Sequence, residues 1–528
     1  MKHQVFSAVE WLYPDSEIME GGKQSIELAG ASGGRTACQI LFKGIEAGAP
    51  VKWRFRPDMY GVPAPEVYQM IDVLAEMNTA PDGFTLPEGE PARDYSTRQA
   101  PFRVYDALKP VARETEARAD TEAFYVCWRV PSDAPAGRYT GKLVFEIGSE
   151  SAEIPVAGQI YGARVPYRGK LHVTNWFNID NIATRHGLEL WSDEHWRMIE
   201  RYGRMMRRGR QNHFWVPMTL VKIGKGEGGA YTFDFSRTER LIKTFFRMGF
   251  TTLEGGHVAG RAHFWDETFI LRTDREIAAT SPEGYAFLAQ YLPAWRAFLE
   301  ENGWLDRAIQ YIADEPTPRC APDYRTLAAI MRKFLPGVRL LDAVETPYLG
   351  GSVDIWVPKN SFYQENRDAF EQHRAFGDEL WFYTCCIPGG RFMNRLLDMP
   401  LIRTRLLHWG NYLYNLTGYL HWGLNFGPED AFNGDCTPTG SGDDPKHLPP
   451  GDTHIIYPGD DGPWSSVRFE AMAAGIEDYE LLRALSERDK VKANAVVREI
   501  VRSFDDFDED PAAFDAAHRA LLKAASQR

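Results

Sequence analysis

The segment "QYIADEP", Gln310 to Pro316, runs as a strand for four residues and then sets two acids, Asp314 and Glu315, side by side before a proline. Neighbours on a regular strand point to opposite faces. Two adjacent carboxylates that act together therefore need a twist or bulge at the strand's end to bring them to one side. Ionised neighbours repel, and one is readily pushed toward the protonated form that a general acid needs. Their closeness along the chain does not suit the opposed nucleophile and acid of most glycosidases. It suits a substrate that carries its own nucleophile. In a 2-acetamido sugar the amide oxygen can attack C1 to give an oxazolinium ion, while one acid protonates the leaving oxygen and the other orients the amide N–H. The competing structural account is that either acid caps the next helix or pairs with an arginine.

The elements that must position this pair show two grammars. Up to about residue 165, short runs such as "ACQILFKG", "AFYVCWRVP" and "GKLVFEIG" are rich in β-branched and aromatic residues and punctuated by Gly and Pro. That pattern predicts an antiparallel β-sandwich. From about residue 169, strand-like and amphipathic helical segments alternate. Eight strand candidates fall near 171–177, 212–218, 251–256, 309–314, 339–345, 353–358, 379–385 and 418–425. Helices between most of them imply parallel pairing through crossovers, and eight such units favour a (β/α)8 TIM-like barrel. The GxGxxG string at Gly224–Gly229 runs into the strand-like "AYTFDF" and opens no helix, and no Walker-type loop occurs, so neither supports a doubly wound nucleotide-binding sheet. The expected division is a sandwich over 1–165, a barrel over 166–490 and a helical extension over 491–528.

Barrel chemistry is built where the strands end. Those ends carry Asn175 and Trp176, His213 and Trp215, Glu254 and His257, the acid pair, Glu345, Trp356 and Lys359, Trp381 and Tyr383, and finally His421, Trp422 and Asn425. Polar and aromatic groups converging on one mouth fit a sugar site. The bland alternatives stay open: Trp356, Trp381 and Tyr383 as core, and the histidines as partners of buried backbone. Cys385 and Cys386 suggest a thiol nucleophile, but buried structural cysteines are commoner. The G-x-S-x-G string at Gly30–Gly34 lies between the strand runs "SIELAG" and "ACQILFKG" and is no elbow into a helix, and no HxxxH spacing occurs. Neither a serine triad nor a metal is therefore expected, and no cofactor.

A formal charge of −13 without a long basic run argues against nucleic acid or an anionic membrane surface as the partner. The uncharged stretch from Leu406 to Pro428 is broken by Gly, Asn and His and does not read as a membrane span. The six cysteines lack C-x-x-C spacing, and the N-terminus has no apolar signal core, so a cytoplasmic protein is expected. The 15 Trp and 23 Tyr suit stacking on sugars, although they also fill cores.

Five segments in order, "YIADEP", "LWFYTCCIPGGRFMN", "GYLHWGLNF", "IIYPGDDGPWSSVRFEAM" and "GIEDYELLRAL", resemble the glycoside hydrolase family 123 β-N-acetylgalactosaminidases and relatives sharing a DUF4091 domain. The resemblance is strong over roughly residues 300–490. It implies a retaining, substrate-assisted exo-glycosidase acting on terminal β-linked GalNAc, in which Asp314 positions the acetamido group and Glu315 is general acid, then base. Trp422 is the first choice for stacking on the sugar, and Tyr457 joins the pocket because its motif belongs to the resemblance. Mixed hexosaminidase activity and a catalytically silent carbohydrate-binding protein are the rivals. The expected partner is a GalNAc-containing oligosaccharide or glycolipid-derived glycan, with room left for a homodimer. Glu477, Asp478 and Glu480 look like a catalytic cluster, but helix packing and ion pairing, with Arg468 as a partner, explain them better. The Gly/Pro/Asp-rich connection before that helix is expected to form a flap over the mouth, with Asp435, Asp443 and Asp444 solvated rather than binding Ca2+.

Overall fold

The computed structural model describes residues 1–527 apart from 60, 61, 264, 435 and 440–445. The acids Asp435, Asp443 and Asp444 of the expected flap lie outside the described residues.

The N-terminal third builds two sheets, one of them completed by a hairpin from residues 457–466. A seven-stranded sheet runs in the order Lys2–Ser7, Arg35–Lys43, Thr121–Arg129, Glu66–Ala75, Phe102–Pro110, Gly462–Ser466, Tyr457–Gly459. A five-stranded sheet runs Ile26–Ser32, Glu150–Arg164, Gly137–Ile147, Pro50–Pro57, Glu114–Glu116, and its one parallel pairing joins Ile26–Ser32 to Glu150–Arg164. The strand "TEAFYVCWR" shows why the sequence sorts this way. Phe124, Val126 and Trp128 join a cluster with Leu143, Phe145 and Ile154 of the other sheet. The alternating Ala123, Tyr125 and Cys127 face Leu401, Val467 and Ala471. Both faces are thus buried, which the near-continuous apolar run anticipates.

The remaining sheets that concern the site are parallel. One holds His172–Asn175, Gly418–His421 and Phe382–Tyr383; the other holds His213–Val216, Thr252–Gly255, Ala308–Tyr311, Arg339–Val344, Ile355–Pro358 and Glu379–Leu380. Each of the eight sequence segments supplies strand, but the seventh is split around Trp381 and serves both sheets. Asn212 N–H donates to Val173 O (3.2 Å) at one junction between the sheets, and a parallel bridge links Lys359 to Tyr383 at the other. Gly418 has no side chain because Trp381 occupies the space: an added Cβ would lie 2.1 Å from the indole.

Amphipathic helices cover these strands. In Asp193–Arg208, capped by the Ser192 hydroxyl, Trp196, Ile199, Tyr202 and Met206 recur at helical spacing and are buried. After the strand Gly418–His421, the chain returns to the N-terminal sheet through the hairpin of Tyr457–Gly459 and Gly462–Ser466, where Ser465 and Ser466 pair with Leu108 and Ala107. The helix Val467–Ser486 follows, capped by Ser466. Its acids are structural. Glu477 bonds Arg35 and Arg210, Asp478 takes both Arg405 nitrogens at 2.8 and 3.0 Å, and Glu480 accepts the Lys170 and Leu171 N–H groups. Arg468 is not their partner; it pairs with Asp106 at 2.9 Å. No described helix is long and apolar enough to cross a membrane.

Candidate active site

The strand Ala308–Tyr311 alternates regularly at first: Ile309 and Tyr311 face the cluster enclosed by the parallel strands, while Ala308 faces the helix layer. Then the alternation breaks. Ile312 and Ala313 both belong to the helix-side core. The cause is Asp342 on the neighbouring strand. Its Oδ2 accepts both successive backbone N–H groups, of Ile312 and Ala313, at 3.1 Å each, and the Tyr324 hydroxyl at 2.6 Å. One carboxylate oxygen replaces two ladder partners, so the strand ends there and the chain turns. Glu315 then takes φ +49°, the left-handed region that a non-glycine residue seldom occupies. Arg261 donates to the Glu315 carbonyl at 2.5 Å and holds that turn. This is how two sequence neighbours both leave the strand's alternation.

Glu315 belongs to a ladder of four groups. The Tyr383 hydroxyl bonds its carboxylate and lies 3.0 Å from Glu345 Oε1. Lys359 bonds Glu345, and its Nζ lies 4.0 Å from Glu315 Oε1. Side-chain exposure rises along the ladder, from 9% at Lys359 through 17% at Glu345 to 28% at Glu315, and Asp314 is the most open at 44%. The acid pair is therefore the open edge of this ladder, with the lysine behind it. Burial and the nearby Glu315 charge raise the Tyr383 phenol well above its ordinary range, so it remains a donor at any working pH. With a single proton, it can give to Glu315 or to Glu345, but not to both. Tyr383→Phe is expected to cut kcat/KM roughly 10–100-fold, the worth of a hydrogen bond to a charged group; steady-state rates with an unchanged melting temperature check this.

Asp314 faces the other way. Although nearly half exposed, its carboxyl is raised by the surrounding protein's exclusion of water; His257 opposes the rise, and Glu315 and Asp342 add to it. His257 is itself buried, and burial pushes its imidazole down to about 4. Its ring packs on Tyr311 (4.7 Å) and edge-on to Trp176 (5.3 Å), which stacks on Trp215 (5.5 Å, 24°).

The expected pocket residues separate into groups. His257 and Tyr383 meet the acid pair directly, Glu345 reaches it through Tyr383 and Lys359, and Trp176 only through His257. Glu254 is fully buried among the strands, bonded by Thr174 (2.9 Å) and raised to about 8 by burial. His213 and Trp381 lie at the opposite end. His213 opens its strand, contacts His172 at 2.9 Å, and meets Trp381 edge-on at 5.2 Å. Asn175 and His421 are tied to a buried guanidinium: Arg395 donates to Asn175 Oδ1 (2.8 Å) and meets His421 Nδ1 (2.6 Å). Asn425 clasps the Asn178 backbone at 2.8 and 3.0 Å. Trp422 is half-buried against Phe426 (5.3 Å). Tyr457 donates to Asp106 at 2.7 Å, within the seven-stranded sheet.

Sequence reasoning passed over Asp342, Arg395 and Arg261. For Asp342 a signal existed: an acid in the middle of "RLLDAV" must find a partner if that strand is buried. Arg395 sits in a loop whose destination no local pattern reveals. Among the described residues, no three His, Cys, Asp or Glu side chains converge as a metal-binding group.

A family model, glycoside hydrolase 123, catalytic domain, matches residues 176–485. Among solved structures, a family 123 glycoside hydrolase from Clostridium perfringens, analysed for glycolipid glycan hydrolysis, aligns with a TM-score of 0.77 at 13% identity, covering 99% of this chain and 97% of that one. At that identity the likeness speaks for the fold. A GH10 xylanase with a bacterial Ig-like domain from termite gut (TM-score 0.35, 8% identity, 68% of this chain and 90% of that one) is too distant to carry an argument. The same holds for a β-galactosidase from Rahnella sp. R3 (0.36, 10%, 61% and 57%). No curated protein matches the chain significantly.

Proposed function

This chain belongs to glycoside hydrolase family 123, and from that membership we propose that it is an exo-acting, retaining β-N-acetylgalactosaminidase that works through the substrate's own acetamido group. The observation that carries the proposal is the release of Asp314 and Glu315 from strand alternation, which gives adjacent carboxylates two different surroundings. Asp314 accepts the acetamido N–H and steers the amide oxygen to C1. Glu315 gives its proton to the leaving oxygen as the oxazolinium ring closes. The Glu315 carboxylate then takes a proton from the water that opens the ring, and net configuration is retained. Tyr383 suits both stages, since its hydroxyl can turn to Glu345 while Glu315 is an acid and back to Glu315 once it is a carboxylate.

We read the two parallel sheets as one (β/α)8 barrel over 166–490, closed through the Asn212–Val173 and Lys359–Tyr383 junctions, and the N-terminal sheets as a β-sandwich over 1–165 followed at the far end by a helical extension over 491–528. The Clostridium relative's action on glycolipid glycans supports a GalNAc-bearing oligosaccharide or glycolipid-derived glycan as the substrate.

Aryl β-GalNAc and aryl β-GlcNAc, each with and without a GalNAc-thiazoline inhibitor, test the proposal. The expected result is turnover of the GalNAc glycoside that the thiazoline blocks. Comparable rates on both sugars would make it a mixed hexosaminidase. Turnover indifferent to the thiazoline would remove the substrate-assisted route.

A further inference from the structure

The imidazole of His257 stands between two carboxylates. Its Nε2 lies 3.4 Å from Asp342 Oδ1 and 4.0 Å from Asp314 Oδ1. Asp342 has no exposed surface, and its other oxygen is saturated by the Ile312 and Ala313 N–H groups and the Tyr324 hydroxyl. Oδ1 makes no hydrogen bond of good geometry among the described residues, and neither His257 nitrogen does. A buried carboxylate oxygen and a buried imidazole left facing each other, with the exposed Asp314 next in line, form a path for one proton.

Resting on the role proposed for Asp314, we infer that His257 and Asp342 are positioning residues that act as a unit: one proton held on the line between Asp342 Oδ1 and His257 Nε2 moves toward the imidazole when Asp314 takes up its charge. With the proton on His257, a cation faces the Asp314 carboxylate; with the proton on Asp342, Asp314 faces a neutral ring. The remaining groups around the pair do not duplicate this switch. Glu315 opposes the charge on Asp314, and Arg272 supports it from a fixed cation. Glu254 acts on His257 from within the strands, and the phenols of Tyr311 and Tyr324 stay neutral because burial raises both.

The consequence is a specific pH signature. Asp314 must be ionised to accept the acetamido N–H, so its titration forms the acid limb of kcat/KM. His257→Phe removes the switchable cation. Asp342→Asn keeps an oxygen for Ile312 and Ala313 but presents an amide donor to Nε2, which then cannot hold the proton. Each variant is expected to move the acid limb up by about one pH unit, the scale of a lost neighbouring charge. The double variant is expected to move it no further. Losses of kcat/KM with an unmoved limb, or additive shifts, would overturn the inference and leave Asp342 as a strand-ending residue only. An arm without substrate separates this from failure of the functional proposal. In 15N-histidine-labelled protein, with His257 assigned by its disappearance in His257→Phe, the imidazole should titrate at lower pH in Asp342→Asn and in Asp314→Asn than in wild type. An unchanged His257 titration in both would overturn the unit even if the enzyme is active.

Discussion

Replacing Glu315 with glutamine is expected to lower kcat on glycosides with poor leaving groups by about 10²–10⁴-fold, the usual worth of a positioned acid–base group. The backbone argues that the change stays local. Glutamine fills the same space at φ +49°, and its amide oxygen can still accept the Tyr383 hydroxyl. The loss should depend on the aglycone. A dinitrophenyl glycoside needs little protonation to depart, so its first step should survive, while water attack, which needs the lost carboxylate, becomes limiting. Added azide, an anion that needs no base, should then restore turnover and yield the β-azide. Equal losses across leaving groups, without azide rescue, would assign Glu315 to binding instead of proton transfer.

A stability effect is expected where the helix Val467–Ser486 meets the N-terminal sheet. Glu470, with no exposed surface, bonds Arg35 at 2.7 Å, Arg208 at 3.0 Å and Ser465 at 2.8 Å, and Arg129 lies 3.5 Å away. Burial alone would raise this carboxyl; Arg208, Arg35 and Arg129 together hold it well below the usual range. Glu470→Gln removes the carboxylate shared by three guanidinium groups, of which Arg35 keeps Glu477 while Arg208 and Arg129 keep Glu66. It is expected to cost about 1.5–3 kcal/mol, the worth of hydrogen bonds to a charged group. The sign with pH follows from the depressed titration. The stabilisation is fully present above the unfolded-state carboxylate value and is lost as pH falls toward the folded-state one. Denaturation midpoints of wild type and variant should therefore differ most at neutral pH and approach each other in strong acid. Coincident midpoints at neutral pH would show that other contacts carry the junction.

The acid pair was legible because carboxylate type and adjacency are local properties of the chain. Why both acids leave the strand's alternation was not, because the cause is a side chain on another strand, Asp342. The eight strand positions could be read from short apolar runs set between helical segments, since parallel strands covered on both faces are apolar along most of their length. The division of the seventh around Trp381 could not, because it depends on the space left by Gly418. His213 and Trp381 illustrate a limit of reading short strands. A run such as 212–218 marks a strand but not which few residues pair, and His213 proves to be its first paired residue, at the entry end. Asn175 and His421 were placed by strand position alone, whereas their surroundings depend on Arg395, brought in from a loop. Tyr457 was drawn to the pocket by its motif, but the ladder that carries it belongs to Phe102–Pro110.

The hairpin that returns to the N-terminal sheet also bears on ancestry and engineering. Two of that sheet's seven strands are encoded after the last parallel strand of the catalytic region. A cut near residue 165 would leave one fragment with a five-stranded remnant of the sheet and the other with an orphaned hairpin beside a helix whose buried acids have lost Arg35. The two regions cannot be shuffled as interchangeable cassettes: a recombination event would have to carry residues 1–165 together with the hairpin and helix over 457–486. Chimeras meant to redirect this enzyme to new glycans should exchange the loops after the parallel strands and leave the flanking sheet whole.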